Sequence, residues 1–140
     1  KRTDYLWGRE LKHGEAAGIS LLRLARKGSG VWKGSVHETW KISGYIGDLK
    51  KPLSHYPHQT IREFLAEINF YTDLRAHELY ENKVKSSWLT IVLYTKGKFF
   101  QNYFLRFGFL DGIPGIVSAI MMSFHSFLVR SKLWLLWQEK

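Results

Sequence analysis

The sequence predicts an α+β fold, in which an N-terminal β-hairpin and strand region gives way to three amphipathic or apolar helices. Three observations support this. Residues 1–57 carry short apolar and alternating runs broken by glycine and proline. Thr60-Ile61-Arg62-Glu63 then opens a stretch of helical periodicity. Finally, 18 consecutive residues from Gly112 to Val129 carry no full charge. A chain of 140 residues has the size of one ordinary domain. We therefore divide it into a β-rich segment, 1–57, and a helical, membrane-associating segment, 58–140, of a single domain.

In the first segment, two strand-like runs flank Lys27-Gly28-Ser29-Gly30, which predicts a hairpin around that turn. The stretch from Gly44 to His58 is irregular or a weak strand, because Pro52 and Pro57 prevent a long ladder. The first helix begins at Thr60, whose hydroxyl and the Glu63 carboxylate each satisfy a backbone N–H in a capping box. Ile61, Phe64, Leu65, Ile68, Thr72, Arg75 and Leu79 recur at helical spacing, and the helix is expected to end near Asn82. The second runs from Ser87 to about Phe107, weakened in its middle by Gly97. It places Trp88, Ile91, Val92, Phe99 and Tyr103 on one side. The third starts after Asp111 as N-cap, with Pro114 tolerated in its first turn.

An apolar fraction of 45% and 22 aromatic residues exclude a disordered chain. No cysteine is present, so disulfides and thiolate-bound metals are excluded and a reducing compartment is preferred. The chain starts with lysine, shows no signal-peptide pattern and reads as a piece of something longer. The net charge is +9, and between Lys83 and Lys132 seven basic residues accompany a single acid, Asp111. Cations interleaved with Trp, Tyr and Phe suit nucleic acid or an anionic membrane surface. Long apolar faces and the absence of a nucleic-acid motif favour the membrane. The uncharged stretch can lie against the membrane face, cross a bilayer at the lower limit of length, or pack inside the domain. The closing "KLWLLWQEK", with tryptophans beside cations, fits a membrane–water boundary.

One carboxylate stands out. Read as one strand, "GVWKGSVHETW" puts Trp32, Gly34, Val36, Glu38 and Trp40 on one face and Lys33, Ser35, His37 and Thr39 on the other. Glu38 then lies between Val36 and Trp40 on the apolar face, where a carboxylate must be paired, hydrogen-bonded or protonated. Desolvation of this kind raises a carboxylate pKa towards that of a general base. The other reading of the pattern is an ion pair with a local cation, or a strand end where Glu38 reaches water. His37 faces away from Glu38 in a regular strand, and only a bulge would bring them together. "SHYPH" offers His55 and His58 at a spacing that can ligate a metal, or simply two surface histidines in a turn. His77 and His125 read as helix packing or surface residues. No phosphate loop, Gly-x-Ser-x-Gly elbow or His-Glu-x-x-His motif occurs.

Four stretches, "YLWGRELKHG", "LLRLARKGSGVWKGSVHE", "LSHYPHQTIREFLAEINFYTDLRA" and "YFLRFGFLDGIPGIVSAIMMSFHSFLVRSKLW", follow one another over nearly all of the chain. In this order they resemble the C-terminal part of bacterial family-2 glycosyltransferases, most nearly the lipopolysaccharide-core type that adds a β-linked sugar. The resemblance implies the acceptor-side portion of a GT-A fold at the cytoplasmic face of the bacterial inner membrane, held there peripherally. It implies an inverting hexosyl transfer from a nucleotide-sugar donor to a lipopolysaccharide or other cell-envelope glycan or glycolipid, assisted by a divalent cation, Mg or Mn. On the matching positions, Glu38 would be the base or an acceptor-positioning carboxylate, and His37 would shape its pocket. Trp32 would stack on a sugar ring or pack in the core. His55 falls where related folds offer a histidine to the metal or the diphosphate, and Tyr56 beside it would bind substrate.

The chain departs from that family in lacking an Asp-x-Asp motif and any recognisable βαβ unit, so most of the donor site is absent. No transfer is expected from these residues alone, and an unpaired sheet edge would lower solubility. A different reading needs no enzyme: a basic amphipathic membrane-surface module in which Glu38 has no role.

Overall fold

The structure, a computed structural model, describes residues 1–33 and 39–139. β1 (Arg2–Leu6) and β2 (Arg9–Leu11) form an antiparallel hairpin with Leu6 opposite Arg9. Its turn residues, Trp7 and Gly8, both take positive φ, 50° and 75°. That is the twist a two-residue hairpin turn requires. Asp4 and Leu6 lie on the buried face of β1.

β3 (Gly30–Lys33) and β4 (Thr39–Ile42) pair antiparallel with Trp32 opposite Trp40. Two expectations are corrected here. The turn before Gly30 exists, since the Ser29 N–H and Oγ both donate to the Arg26 carbonyl at 3.1 and 2.7 Å. The segment before that turn, however, is not a strand. The described residues of the run from Gly30 to Ile42 also form two strands that pair antiparallel, not one continuous strand. Cross-strand stacking of Trp32 on Trp40, with rings 5.5 Å apart and 9° from parallel, favours the folded-back arrangement.

β5 (Leu53–His55) lies parallel to β1, giving the order β2-β1-β5 and setting His55 opposite Asp4. Pro52 and Pro57 confine it to three residues.

α1 (Ile61–Glu81) follows the prediction at both ends. Both halves of the Thr60/Glu63 capping box form, and Asn82 is the C-cap. Its buried stripe is Phe64, Ile68, Thr72 and Ala76, a strict four-residue repeat, while Ile61 and Leu65 face outward. α2 (Trp88–Phe100) is capped by the Ser87/Thr90 pair. It stops earlier than expected, running into a π-turn over Gln101–Leu105 and then a 3₁₀ turn over Gly108–Asp111. None of its described residues is fully buried, and Trp88 is 75% exposed.

α3 (Ile113–Gln138) packs against both α1 and α2. Its N-cap is Gly112 rather than Asp111, whose carboxylate is used elsewhere. Gly112 has φ +65° and ψ −137°, a backbone shape that glycine alone adopts at little cost. The core joins Phe64 and Ile68 of α1 to Met121 of α3, with Trp7 of the first hairpin turn and Val117 packed against them. Leu133, with no exposed surface, extends the buried side of α3. A fully buried side chain of this size contributes about 2 kcal/mol.

Polar contacts fix the helix register. Lys132 Nζ donates to the Asn69 carbonyl, Asn69 Oδ1 and Thr72 Oγ1, each at 2.9 Å, and pairs with Asp73 at 2.6 Å. The Ser123 hydroxyl donates to the Thr95 carbonyl at 2.7 Å, binding α3 to α2. Lys132 is thus committed to α1 rather than offered to a membrane surface. Arg130 stacks over the Tyr94 ring at 3.8 Å.

Candidate functional site

β1 and β5 bring together three groups that sequence periodicity did not connect. Asp4 is only 4% exposed. Its carboxylate accepts from Arg2 Nη2 at 2.6 Å, and Arg2 Nε lies 2.6 Å from Oδ1. His55 Nδ1 is 3.2 Å from the same Oδ1. An ionised carboxylate only accepts hydrogen bonds, so Nδ1 is the donor in this contact and Nε2 is left facing away from Asp4. The parallel pairing of Asp4 with His55 sets this geometry from the backbone up.

Beside it, Tyr56 is exposed and stacks on Tyr5, with centroids 5.1 Å apart. His58 stacks on Phe64 at 4.1 Å and lies 3.2 Å from a Glu67 carboxylate oxygen, which gives it a packing role. A cleft of about 670 Å³ runs past these residues and is lined by Asp4, His55, Tyr56, Glu15 and Tyr71 among others. Carboxylates, an imidazole and flat aromatic rings are the groups that hold polyhydroxylated ligands, through hydroxyl hydrogen bonds and ring stacking.

Of the residues singled out from sequence, His37 and Glu38 lie outside the described residues. The described residues on either side of them belong to two strands, β3 and β4, that pair antiparallel. Trp32 is half-exposed, stacked on Trp40 and approached by the Arg23 guanidinium at 6.0 Å, so it is not a core residue. No described ring contact, hydrogen bond or ion pair joins Trp32 to His55 or Tyr56.

His55 meets one carboxylate, and both oxygens of that carboxylate already face Arg2. Among the described residues no group of three His, Asp or Glu side chains comes together to hold a metal ion. The described residues therefore do not build a divalent-cation centre by themselves.

A second constellation joins the two ends of the chain. The Asp111 carboxylate accepts the backbone N–H of His13 at 2.8 Å and of Lys12 at 3.1 Å, and pairs with His13 Nδ1 at 2.9 Å. Glu15 receives Lys98 Nζ at 2.8 Å and Asn102 Nδ2 at 3.3 Å. These contacts span 83 to 99 residues of sequence, so no local pattern announces them. They give the Phe-Leu-Asp-Gly-x-x-Gly stretch a structural meaning: Asp111 clamps the N-terminal segment, Gly112 makes the turn, and Gly115 permits close backbone packing.

No protein-family model and no solved structure matches the chain. It is 30% identical over 92 residues to an uncharacterized glycosyltransferase of Rickettsia conorii, a match covering 66% of this chain and 33% of that protein. An uncharacterized glycosyltransferase of Rickettsia bellii is 31% identical over 88 residues, covering 63% and 30% of the two chains. One from Rickettsia felis is 29% identical over 92 residues, covering 66% and 32%. The matched part of the chain spans about a third of the length of these curated relatives. The chain is thus related in sequence, over part of its length, to proteins named as glycosyltransferases.

Proposed function

We propose that this chain is the acceptor-side part of a family-2-like inverting glycosyltransferase that moves a sugar from a nucleotide-sugar to a cell-envelope glycan or glycolipid. The observation that carries the reading is the 92-residue similarity to the rickettsial glycosyltransferase. The cleft beside Asp4, His55 and the Tyr5–Tyr56 stack supports it, being chemically suited to a sugar.

In this reading the acceptor hydroxyl oxygen attacks the anomeric carbon of the donor. Its proton passes to the Glu38 carboxylate. The bond from that carbon to the diphosphate breaks, and the nucleotide diphosphate leaves with the electron pair while the configuration inverts. His37 shapes the pocket around Glu38, and Trp32 offers its exposed face to a sugar ring. His55 Nε2 accepts from a sugar hydroxyl or, once protonated, donates to the diphosphate, and Tyr56 lines the same cleft. Donor recognition and most ligands of any divalent cation are assigned to parts of the enzyme outside the described residues. With such an acceptor the enzyme would work at the cytoplasmic face of the inner membrane, where the basic, apolar helices would hold it peripherally.

The discriminating variant is Glu38→Gln in the intact enzyme. Turnover is expected to fall by at least about 10²-fold, while nucleotide-sugar binding, followed by calorimetry, persists. Normal turnover in Glu38→Gln would remove that residue from the mechanism. The competing reading, a membrane-surface module with no transfer, is favoured by the exposed apolar side chains of α2 and α3. It expects no effect of Glu38→Gln on anything the protein does.

A further inference from the structure

The connection between α2 and α3 has two unlike sides. On its inner side the N-terminal segment holds it: the Gly14 N–H donates to the Arg106 carbonyl at 2.9 Å, Glu15 receives Lys98 and the buried Asn102, and Asp111 receives Lys12 and His13. On its outer side Phe100, Phe104, Leu105, Phe107, Leu110 and Ile113 are all exposed, Ile113 at 78%. A surface connection of this apolarity is unusual, because connections are ordinarily polar and contiguous exposed apolar surface marks an interaction site.

The backbone is also held in an uncommon shape. A π-turn interrupts the helix at Gln101–Leu105, and Phe107 takes left-handed φ and ψ of 56° and 27°. A bulky non-glycine residue in that region is strained and persists only where its surroundings impose it. The rings form a linked block, with Phe100–Phe104 at 5.2 Å, Tyr103–Phe104 at 5.1 Å and Phe107–Phe109 at 6.1 Å. This is a braced apolar surface.

Charge identifies the occupant. Arg106 is exposed on this elbow and Lys96 lies exposed one turn before it in α2, while the elbow's one acid, Asp111, is taken up by His13 and Lys12. Exposed apolar side chains beside exposed cations, with the one acid turned inward, match a bilayer whose headgroups are anionic.

We propose that the α2–α3 elbow, residues 100–113, is a membrane wedge that inserts its aromatic and aliphatic side chains between anionic phospholipids. It deepens the membrane-surface part of the proposed function and needs no sugar chemistry, so each can fail while the other stands.

The test is flotation of the full chain with phosphatidylcholine vesicles, with and without phosphatidylglycerol. The wild-type chain is expected to float with the anionic vesicles and to be released by salt. Leu105→Asp with Ile113→Asp is expected to weaken binding at least about tenfold. Both residues are exposed, and an unchanged circular dichroism spectrum and melting temperature would show that the fold is retained. Leu24→Asp, an equally exposed site in the N-terminal segment, is expected to bind as the wild type does.

Absence of vesicle binding by the wild type would overturn the proposal, and so would equal binding by the double variant. An equal loss in Leu24→Asp would do the same, by showing general stickiness. Dimers of the wild type that dissociate in the double variant, with no vesicle binding by either, would assign the elbow to a second copy of the chain and also overturn it.

Discussion

Gly115→Ala is expected to destabilise the fold by about 3 kcal/mol or more and to lower the melting temperature by roughly 10 °C. A Cβ at this position would lie 1.9 Å from the Gly108 carbonyl oxygen and 3.0 Å from Asp111 Cβ. The obstacle is backbone, so no rotamer change relieves it. Gly108 is itself pressed against the Asn102 carbonyl, where an added Cβ would meet oxygen at 2.6 Å. Moving Gly108 away would therefore disturb the π-turn and the Asn102–Glu15 contact together. Gly97→Ala is the internal control. It too is a helical glycine, in α2, but nothing lies within 4 Å of the added methyl. There the helix preference of alanine should stabilise by about 0.5–1 kcal/mol. The same chemical change should thus have opposite signs at two helical sites. Urea unfolding of both variants measures it, and a Gly115→Ala protein as stable as the wild type would contradict the packing described for the elbow.

The second large effect concerns His55 and the carboxylate that orients it. In the intact enzyme His55→Gln is expected to lower turnover by about 10²-fold or more. Asp4→Asn should lower it by about tenfold or more through His55, since an amide can meet Nδ1 as donor or acceptor and no longer fixes the tautomer. Nitrogen NMR shifts of the His55 ring separate this from general damage. The wild-type ring is expected to be protonated at Nδ1, and the Asp4→Asn ring to be a mixture. Loss of turnover with an unchanged tautomer would mean that Asp4 serves only to balance Arg2 in the sheet.

α1 was legible from sequence to within a residue because its signals are local: the capping box at Thr60 and Glu63, the apolar repeat, and the end at Asn82. α2 overran in the prediction because its end is set from elsewhere. Phe107 adopts its left-handed shape where Glu15, Gly14 and His13 grip the elbow from the far end of the chain. Asp111 precedes the long helix and has the right chemistry for an N-cap, but two backbone N–H groups 98 and 99 residues away claim its oxygens.

Strand alternation singles out Glu38, which lies outside the described residues. A carboxylate on the buried face of a strand does occur in this protein, at Asp4, beside Leu6 and opposite His55. In Arg2-Thr3-Asp4-Tyr5-Leu6 the buried positions are Asp4 and Leu6, but Arg2 shares their face, so residue types alone do not mark it as apolar. What the sequence concealed was the parallel pairing across about 50 residues that brings His55 to it.

The most direct test of the central claim is sugar transfer by the complete protein encoded by the reading frame that contains this chain. The purified protein would be incubated with radiolabelled nucleotide-sugars and bacterial envelope lipids, and label followed into the lipid-linked fraction. The account expects at least one donor to deliver its sugar with inversion at the anomeric carbon, and the label to disappear in His55→Gln. Retention of anomeric configuration, or no transfer and no donor hydrolysis with any common nucleotide-sugar, would contradict it.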